Sequence, residues 1–236
     1  EGVAYHIFID RFAVGEEGIK NPKENIFFYG RKTDLPMYIK DEEGEIIRWD
    51  FFGGDLWGII EKLPYLKDLG ITILYLSPIF GARSNHRYDT GDYMSIEPMI
   101  GGEEAFTTLI KEAGGLGIKI ILDGVFNHCG ADSIYFDRYN RYGGGAFYNK
   151  ASSNRQWFHI MEDGQYDAWW GVADLPRFNG ENEELKSFLL NVVSKWSSYG
   201  IGGWRLDVAD ELEDGFIARL RGCLSEDQVL LGEGLR

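Results

Sequence analysis

Hydrophobic and polar positions follow two alternating rhythms along the chain. Short apolar runs recur at "AYHIFI" (4–9), "ITILYL" (71–76), "IKIILD" (118–123), "IGGWRLDV" (201–208) and "QVLLGE" (228–233), and each reads as a buried strand. Between them, apolar residues fall at helical spacing. Leu56, Ile59, Ile60 and Leu63 form one set, which Pro64 interrupts before "YLKDLG" carries it to a glycine stop. Phe106, Leu109, Ile110 and Ala113 share one face of a helix predicted over 103–115. Leu185, Phe188, Leu189, Val192, Val193 and Trp196 follow the spacing i, i+3, i+4, i+7, i+8, i+11 of an amphipathic helix. A last set lies around Phe216, Ile217 and Leu220. Strand-helix repetition of this kind predicts an α/β fold, a parallel sheet with helices packed outside. Periodicity alone leaves a closed barrel and an open doubly wound sheet both standing. No strand is followed by G-x-G-x-x-G or G-x-x-x-x-G-K-[ST], so the usual nucleotide-binding form of the open sheet lacks its signature.

The rhythm fails twice. From the end of the first strand to about Asp50 the chain is polar and variable, with turn signals at Asn21-Pro22 and Glu43-Gly44, and is expected to be a surface excursion. Residues 129–180 contain Gly143-Gly144-Gly145, many Tyr, Asn and Trp residues, and no helical pattern. A stretch of that length without regular structure is expected to be a functional lobe or lid.

Composition narrows the partners. The chain has 236 residues, 24 Lys+Arg against 38 Asp+Glu, and a net charge of −14, which argues against nucleic acid or an anionic membrane as a partner. Hydrophobic residues at 44% and charged residues at 26% suit a globular body. No apolar run approaches the roughly 18 residues of a membrane span. Cys129 and Cys223 are too few for a disulfide framework and lack metal-ligand spacing, so a reducing, cytoplasmic setting is expected.

The chemistry gathers where the apolar runs end. Asp10 and Arg11, then Asp123 with Asn127 and His128, then Arg205 and Asp207, then Glu233 lie at or just past successive predicted strands. In a parallel barrel those ends form the active face. Arg205 and Asp207 are two apart and point to one side of a strand, where the guanidinium is expected to hold the carboxylate ionised. Glu233, from the next strand, is expected to oppose Asp207. An Arg-x-Asp enclosed between Trp204 and Val208 is costly unless it is paired or used. Two carboxylates on adjacent strand ends suit glycoside chemistry, one ionised as nucleophile and one with a raised pKa as proton donor. The alternative of a catalytic metal at Asp123, Asn127, His128, Asp207 and Glu233 lacks any H-x-H, H-E-x-x-H or cysteine cluster.

These residues resemble three blocks of the α-amylase family of glycoside hydrolases: "DGVFNH" (123–128), "GWRLDVA" (203–209) and "LLGEG" (230–234). The strings "FFGGDLWGIIEKLPYLKDLGIT", "SNHRYDTGDY" and "LPRFN" are similar to its cyclomaltodextrinase, neopullulanase and maltogenic amylase branch. The resemblance implies a (β/α)8 TIM barrel with an inserted domain B after strand 3. It divides the chain into barrel (1–128), insertion (129–180) and continuing barrel (181–236), with about five strand-helix units present and the length reading as a truncation. It implies Asp207 as nucleophile and Glu233 as acid/base, with Tyr88 stacking on the sugar being cleaved. Asp89 would line the same pocket, His128 would hydrogen-bond the sugar, and Arg205 would align Asp207. The Trp169-Trp170 pair is open to either a sugar contact or local packing. The implied activity is retaining cleavage of α-glucosidic bonds in maltodextrins, cyclodextrins or pullulan-type oligosaccharides; a transglycosylase and a non-catalytic sugar-binding relative are the alternatives. No cofactor is implied for catalysis. Structural calcium at Asn127 stays open, as does a homodimer of the full-length protein. One departure is plain: Gly234-Leu235 follows Glu233 where the family carries an apolar residue and Trp.

Overall fold

The computed structural model of the chain describes residues 2–16, 18, 27–28, 31, 33–42, 44 and 46–234. Five strands lie side by side in it: β1 (Ala4–Ile7), β2 (Ile73–Leu76), β3 (Lys119–Gly124), β4 (Gly203–Leu206) and β5 (Val229–Gly232). Every neighbouring pair is parallel, and their order in the sheet is their order in the sequence. A doubly wound sheet reverses its order at a switch point; a barrel wall does not. The order therefore decides for the barrel where periodicity could not.

Four helices cover the outer face: α1 (Leu56–Asp68), α2 (Gly102–Gly115), α3 (Glu183–Ser197) and α4 (Asp214–Gly222). Helix α1 begins at Asp55, whose side chain accepts the Gly58 N–H at 2.6 Å, and runs unbroken through Pro64. It stops at Gly70, where φ is +84° and the Ile71 N–H returns to the Leu66 carbonyl. Asn182 caps α3 in the same way, accepting the Leu185 N–H at 2.8 Å. Outward-facing Leu74, Leu76, Ile120, Leu122, Trp204 and Leu206 bury against Leu63, Leu66, Phe106, Leu109, Leu189 and Trp196. Burying each such aliphatic side chain stabilises the fold by about 1.5–3 kcal/mol. The two enclosed indoles keep a partner: Trp196 Nε1 donates to the Tyr93 carbonyl at 2.8 Å and Trp204 Nε1 to Ser197 Oγ at 2.9 Å.

Two sequence expectations need correction. The run 4–9 is not one buried strand: β1 ends at Ile7, Ala4 to His6 are exposed, and Ile9–Phe12 forms a single helical turn. β5 is likewise largely exposed. Each has one strand neighbour only, so its flank meets solvent among the described residues. The chain after β2 also contains an antiparallel hairpin, Phe80–Ala82 with Thr90–Ile96, that the sequence did not announce because "TGDYMSI" lacks period-two alternation.

In the first excursion, Ile39–Lys40 pairs antiparallel with Ile46–Arg48, and Gly44 turns at φ +89°. The expected turn at Asn21-Pro22 lies outside the described residues. From 129 to 180 the backbone makes isolated bridges and two single 3-10 turns, and packs an aromatic group of Phe136, Phe147, Phe158 and Tyr166. No helix among the described residues is long and apolar enough to cross a membrane.

Candidate active site

Register places the polar strand ends together. Arg205 stands level with Asp123 on β3 and with Leu231 on β5. Asp207 follows β4 directly, and its N–H bonds the Gly124 carbonyl at 3.1 Å. Glu233 follows β5, its N–H on the Leu206 carbonyl at 3.0 Å. Three carboxylates therefore converge on one guanidinium. Arg205 Nη1 lies 2.9 Å from Asp123 Oδ1 and 2.9 Å from Asp207 Oδ1, while Nη2 lies 2.5 Å from Glu233 Oε1.

Backbone strain serves the same assembly. Val208, next to Asp207, is a buried β-branched residue at φ +49°. Such a conformation costs about 1–3 kcal/mol and persists only where the surroundings impose it. Here the Val208 N–H donates to Glu233 Oε2 at 3.2 Å, tying the loop after β4 to the carboxylate after β5.

The electrostatics differ from the expectation that Arg205 keeps Asp207 fully ionised. Burial, with Asp123 and Glu233 adding repulsion, pushes the Asp207 carboxyl up to about 7 despite the pull of Arg205. One guanidinium cannot offset three nearby carboxylates, so the cluster as a whole retains a proton into the neutral range. Asp123 is also raised by burial, and Arg205, Tyr75 and Tyr88 oppose the shift. Glu233, with 35% of its side chain exposed against 10% for Asp207, is the carboxylate in contact with solvent.

Tyr88 joins the cluster through its hydroxyl, which donates to Asp123 Oδ2 at 3.0 Å. Tyr75 donates to the same oxygen, and its ring stacks on His6 at 4.4 Å. Sequence reading missed Tyr75 and His6, and it placed Asp123 among the polar strand ends without a part in the sugar chemistry. The signal was strand parity: His6 and Tyr75 are register partners on adjacent strands.

His128 is buried beside Tyr88. Neither ring nitrogen meets a partner at full hydrogen-bond geometry, although the Tyr88 backbone lies near enough to pull its pKa upward. Burial dominates and lowers the imidazole to about 4, so the ring is neutral with unmet hydrogen-bonding capacity. Its loop is fixed by Tyr93, whose hydroxyl lies 2.7 Å from the Val125 carbonyl and 2.8 Å from that of His128. Trp169 packs 5.3 Å from the imidazole and stacks on Trp170 at 4.9 Å; Trp170 is 71% exposed.

Asp89 is not brought to the cluster. Its carboxylate accepts the Ser84 and Arg83 N–H groups at 3.0 and 3.2 Å, together with the Ser84 hydroxyl, and so shapes the loop carrying Tyr88. Asn127 Nδ2 lies 3.4 Å from Glu211 Oε2. Among the described residues no group of three His, Cys, Asp or Glu side chains has the arrangement of a metal site.

Paired carboxylates, an arginine and a tyrosine gathered at the strand ends of a parallel barrel wall are the kind of groups that glycoside chemistry uses. Comparison with known proteins agrees. The alpha-amylase catalytic domain profile matches residues 6–222. The intracellular maltogenic amylase of Bacillus subtilis (strain 168) is 40% identical over 98% of this chain and 37% of its own length. A cyclomaltodextrinase of Geobacillus thermopakistaniensis is 40% identical over 98% of this chain and 38% of its own. Among solved structures, the cyclic alpha-maltosyl-(1-->6)-maltose hydrolase of Arthrobacter globiformis superposes with a TM-score of 0.84 at 32% identity, covering 100% of this chain and 51% of that one. The chain belongs to the alpha-amylase family. It spans under two fifths of the length of these two curated relatives.

Proposed function

We propose that the protein hydrolyses α-glucosidic bonds in maltodextrins, cyclodextrins or pullulan-type oligosaccharides, with retention of configuration. The observation that carries this reading is the pairing of Asp207 and Glu233 on the two terminal nitrogens of Arg205. Such pairing favours the close spacing of a retaining pair, about 5–5.5 Å, over the wider gap that an inverting pair leaves for water. Asp207, the more enclosed carboxylate, attacks the anomeric carbon in its ionised form, with the proton that the cluster retains carried by Glu233. Glu233, in contact with solvent, donates a proton to the departing oxygen and then takes one from the incoming water. Arg205 aligns both. Tyr88 presents its ring to the sugar, and the unpartnered imidazole of His128 hydrogen-bonds a sugar hydroxyl. The relatives bear the names of enzymes that act on such glucans. Free Cys129 and Cys223 suit a cytoplasmic setting.

Turnover by the whole protein tests the roles. Asp207→Asn should lower kcat by at least about 10⁴-fold, the scale seen when a member of a covalent catalytic set is removed. Glu233→Gln should cost about 10²–10⁴-fold on maltodextrins. Much of that loss should return with an activated aryl leaving group, which needs no proton. Equal losses on both substrates would contradict the acid role, and near-normal turnover by Asp207→Asn would contradict the mechanism.

A further inference from the structure

A second guanidinium, outside the strand-end cluster, also faces three carboxylates. Arg87, between His86 and Tyr88 in the chain, is fully buried, and its backbone takes a left-handed turn at φ +61°. Burial pulls its pKa down, and the carboxylates of Glu97, Asp10 and Asp89 oppose that shift. Each of the three comes from a different segment and holds backbone of its own. Asp10, just past β1, accepts the Phe52 and Gly53 N–H groups at 3.1 and 3.0 Å. Glu97, at the end of the hairpin, accepts those of Ala82 and Met99, both at 3.2 Å. Asp89 accepts those of Ser84 and Arg83.

The turn at Arg87 is strained, and a non-glycine residue persists there only where its surroundings impose it. Arg87 is held at both ends. Its N–H donates to Ser84 Oγ at 2.9 Å, and Nη1 donates to the Asn85 carbonyl at 3.1 Å. Asn85 in turn donates Nδ2 to the Asp50 carbonyl at 2.8 Å. With the guanidinium turned into the interior, the two flanking rings meet. The Tyr88 N–H donates to His86 Nδ1 at 3.1 Å, and the ring centroids lie 5.9 Å apart. From there the Tyr88 hydroxyl reaches Asp123 Oδ2. Filling space does not account for an arginine at this place. Its Nε and Nη2 meet no hydrogen-bond partner among the described residues, and an apolar side chain would leave no such groups unmet. What an apolar side chain could not do is attract the Asp10, Asp89 and Glu97 segments at once.

We propose that Arg87 is a positioning residue for the sugar centre: its buried guanidinium draws three carboxylate-bearing segments together and locks the turn that presents Tyr88 at Asp123. Arg87 touches neither the sugar nor the reacting carboxylates. The inference rests on the role given to Tyr88 above and adds the group that sets its place.

A double-mutant cycle on the whole protein tests it, with kcat/KM on maltotriose for Arg87→Gln, Tyr88→Ala and the two combined. Arg87→Gln should lower kcat/KM by about 10²-fold, the scale of an ångström-sized misplacement. In the Tyr88→Ala background the same change should cost less than about threefold, because the group it places is gone. Arg87→Lys, which keeps the charge, should recover most of the loss. A crystal structure of Arg87→Gln should show the Tyr88 hydroxyl beyond hydrogen-bond reach of Asp123. Equal losses in both backgrounds overturn the proposal, and so does a folded Arg87→Gln variant with wild-type kcat/KM. Should Arg87→Gln fail to fold, Arg87→Gln with Glu97→Gln removes one charge of each sign and takes its place in the cycle. Wild-type kcat/KM in Tyr88→Ala contradicts the role of Tyr88 instead; the crystal structure then decides for Arg87, and an unmoved Tyr88 overturns its part.

Discussion

One guanidinium faces Asp123, Asp207 and Glu233, and the shortage of positive charge has a consequence for stability. Asp207 titrates near 7 in the folded protein against about 3.9 in an unfolded chain. Its folded pKa is raised, so the native state holds a proton that the unfolded state releases. Stability from this group is therefore full below pH 4 and declines as pH rises to about 7. Asp207→Asn removes the decline. The difference in thermal midpoint, variant minus wild type, should grow between pH 4 and 7 and then level off; a flat difference would contradict the raised pKa. Arg205, Asp207 and Glu233 were legible in sequence because charges inside apolar runs have few structural excuses. The roles of Tyr75 and Asp123 were not, since their hydrogen bond joins residues 48 apart and depends on strand register. Asp89 is held locally instead, by backbone N–H groups five and six residues before it.

At the level of elements, β4 leads directly into Asp207 and depends on its first residue. Gly203 has φ +144°, and a Cβ there would sit 2.0 Å from the Val229 carbonyl oxygen. Gly203→Ala should break the β4–β5 pairing and leave little folded protein, read as loss of a cooperative melting transition. A milder test is Asn182→Ala, which removes the α3 cap and should cost about 1 kcal/mol in denaturant melts with unchanged catalytic constants. The helices were legible to within two residues at each end where apolar spacing was sustained, α3 above all. Strands were overextended in the sequence reading, because apolar character continues past the last ladder bond. The run 201–208 forms a strand only over Gly203–Leu206. Pro64 looked like a break yet sits inside α1, where Leu63 and Leu66 on the buried face keep the helix seated.

For the whole molecule, sequential strand order makes a barrel wall, and the wall gathers side chains from β2, β3, β4 and β5 at one end. That convergence is what a linear reading approximates by noticing where strands stop. It cannot supply a cavity that Lys40, His86 and Asp174 line together, from segments more than 130 residues apart. In the proposed mechanism Asp207 forms a covalent bond to the sugar. The whole protein, treated with an activated fluoro-glucoside that is slow to hydrolyse, should gain the mass of one glycosyl unit. Peptide mapping should place that unit on the peptide containing Asp207. An adduct on another residue, or none while the reagent is consumed, would contradict the account.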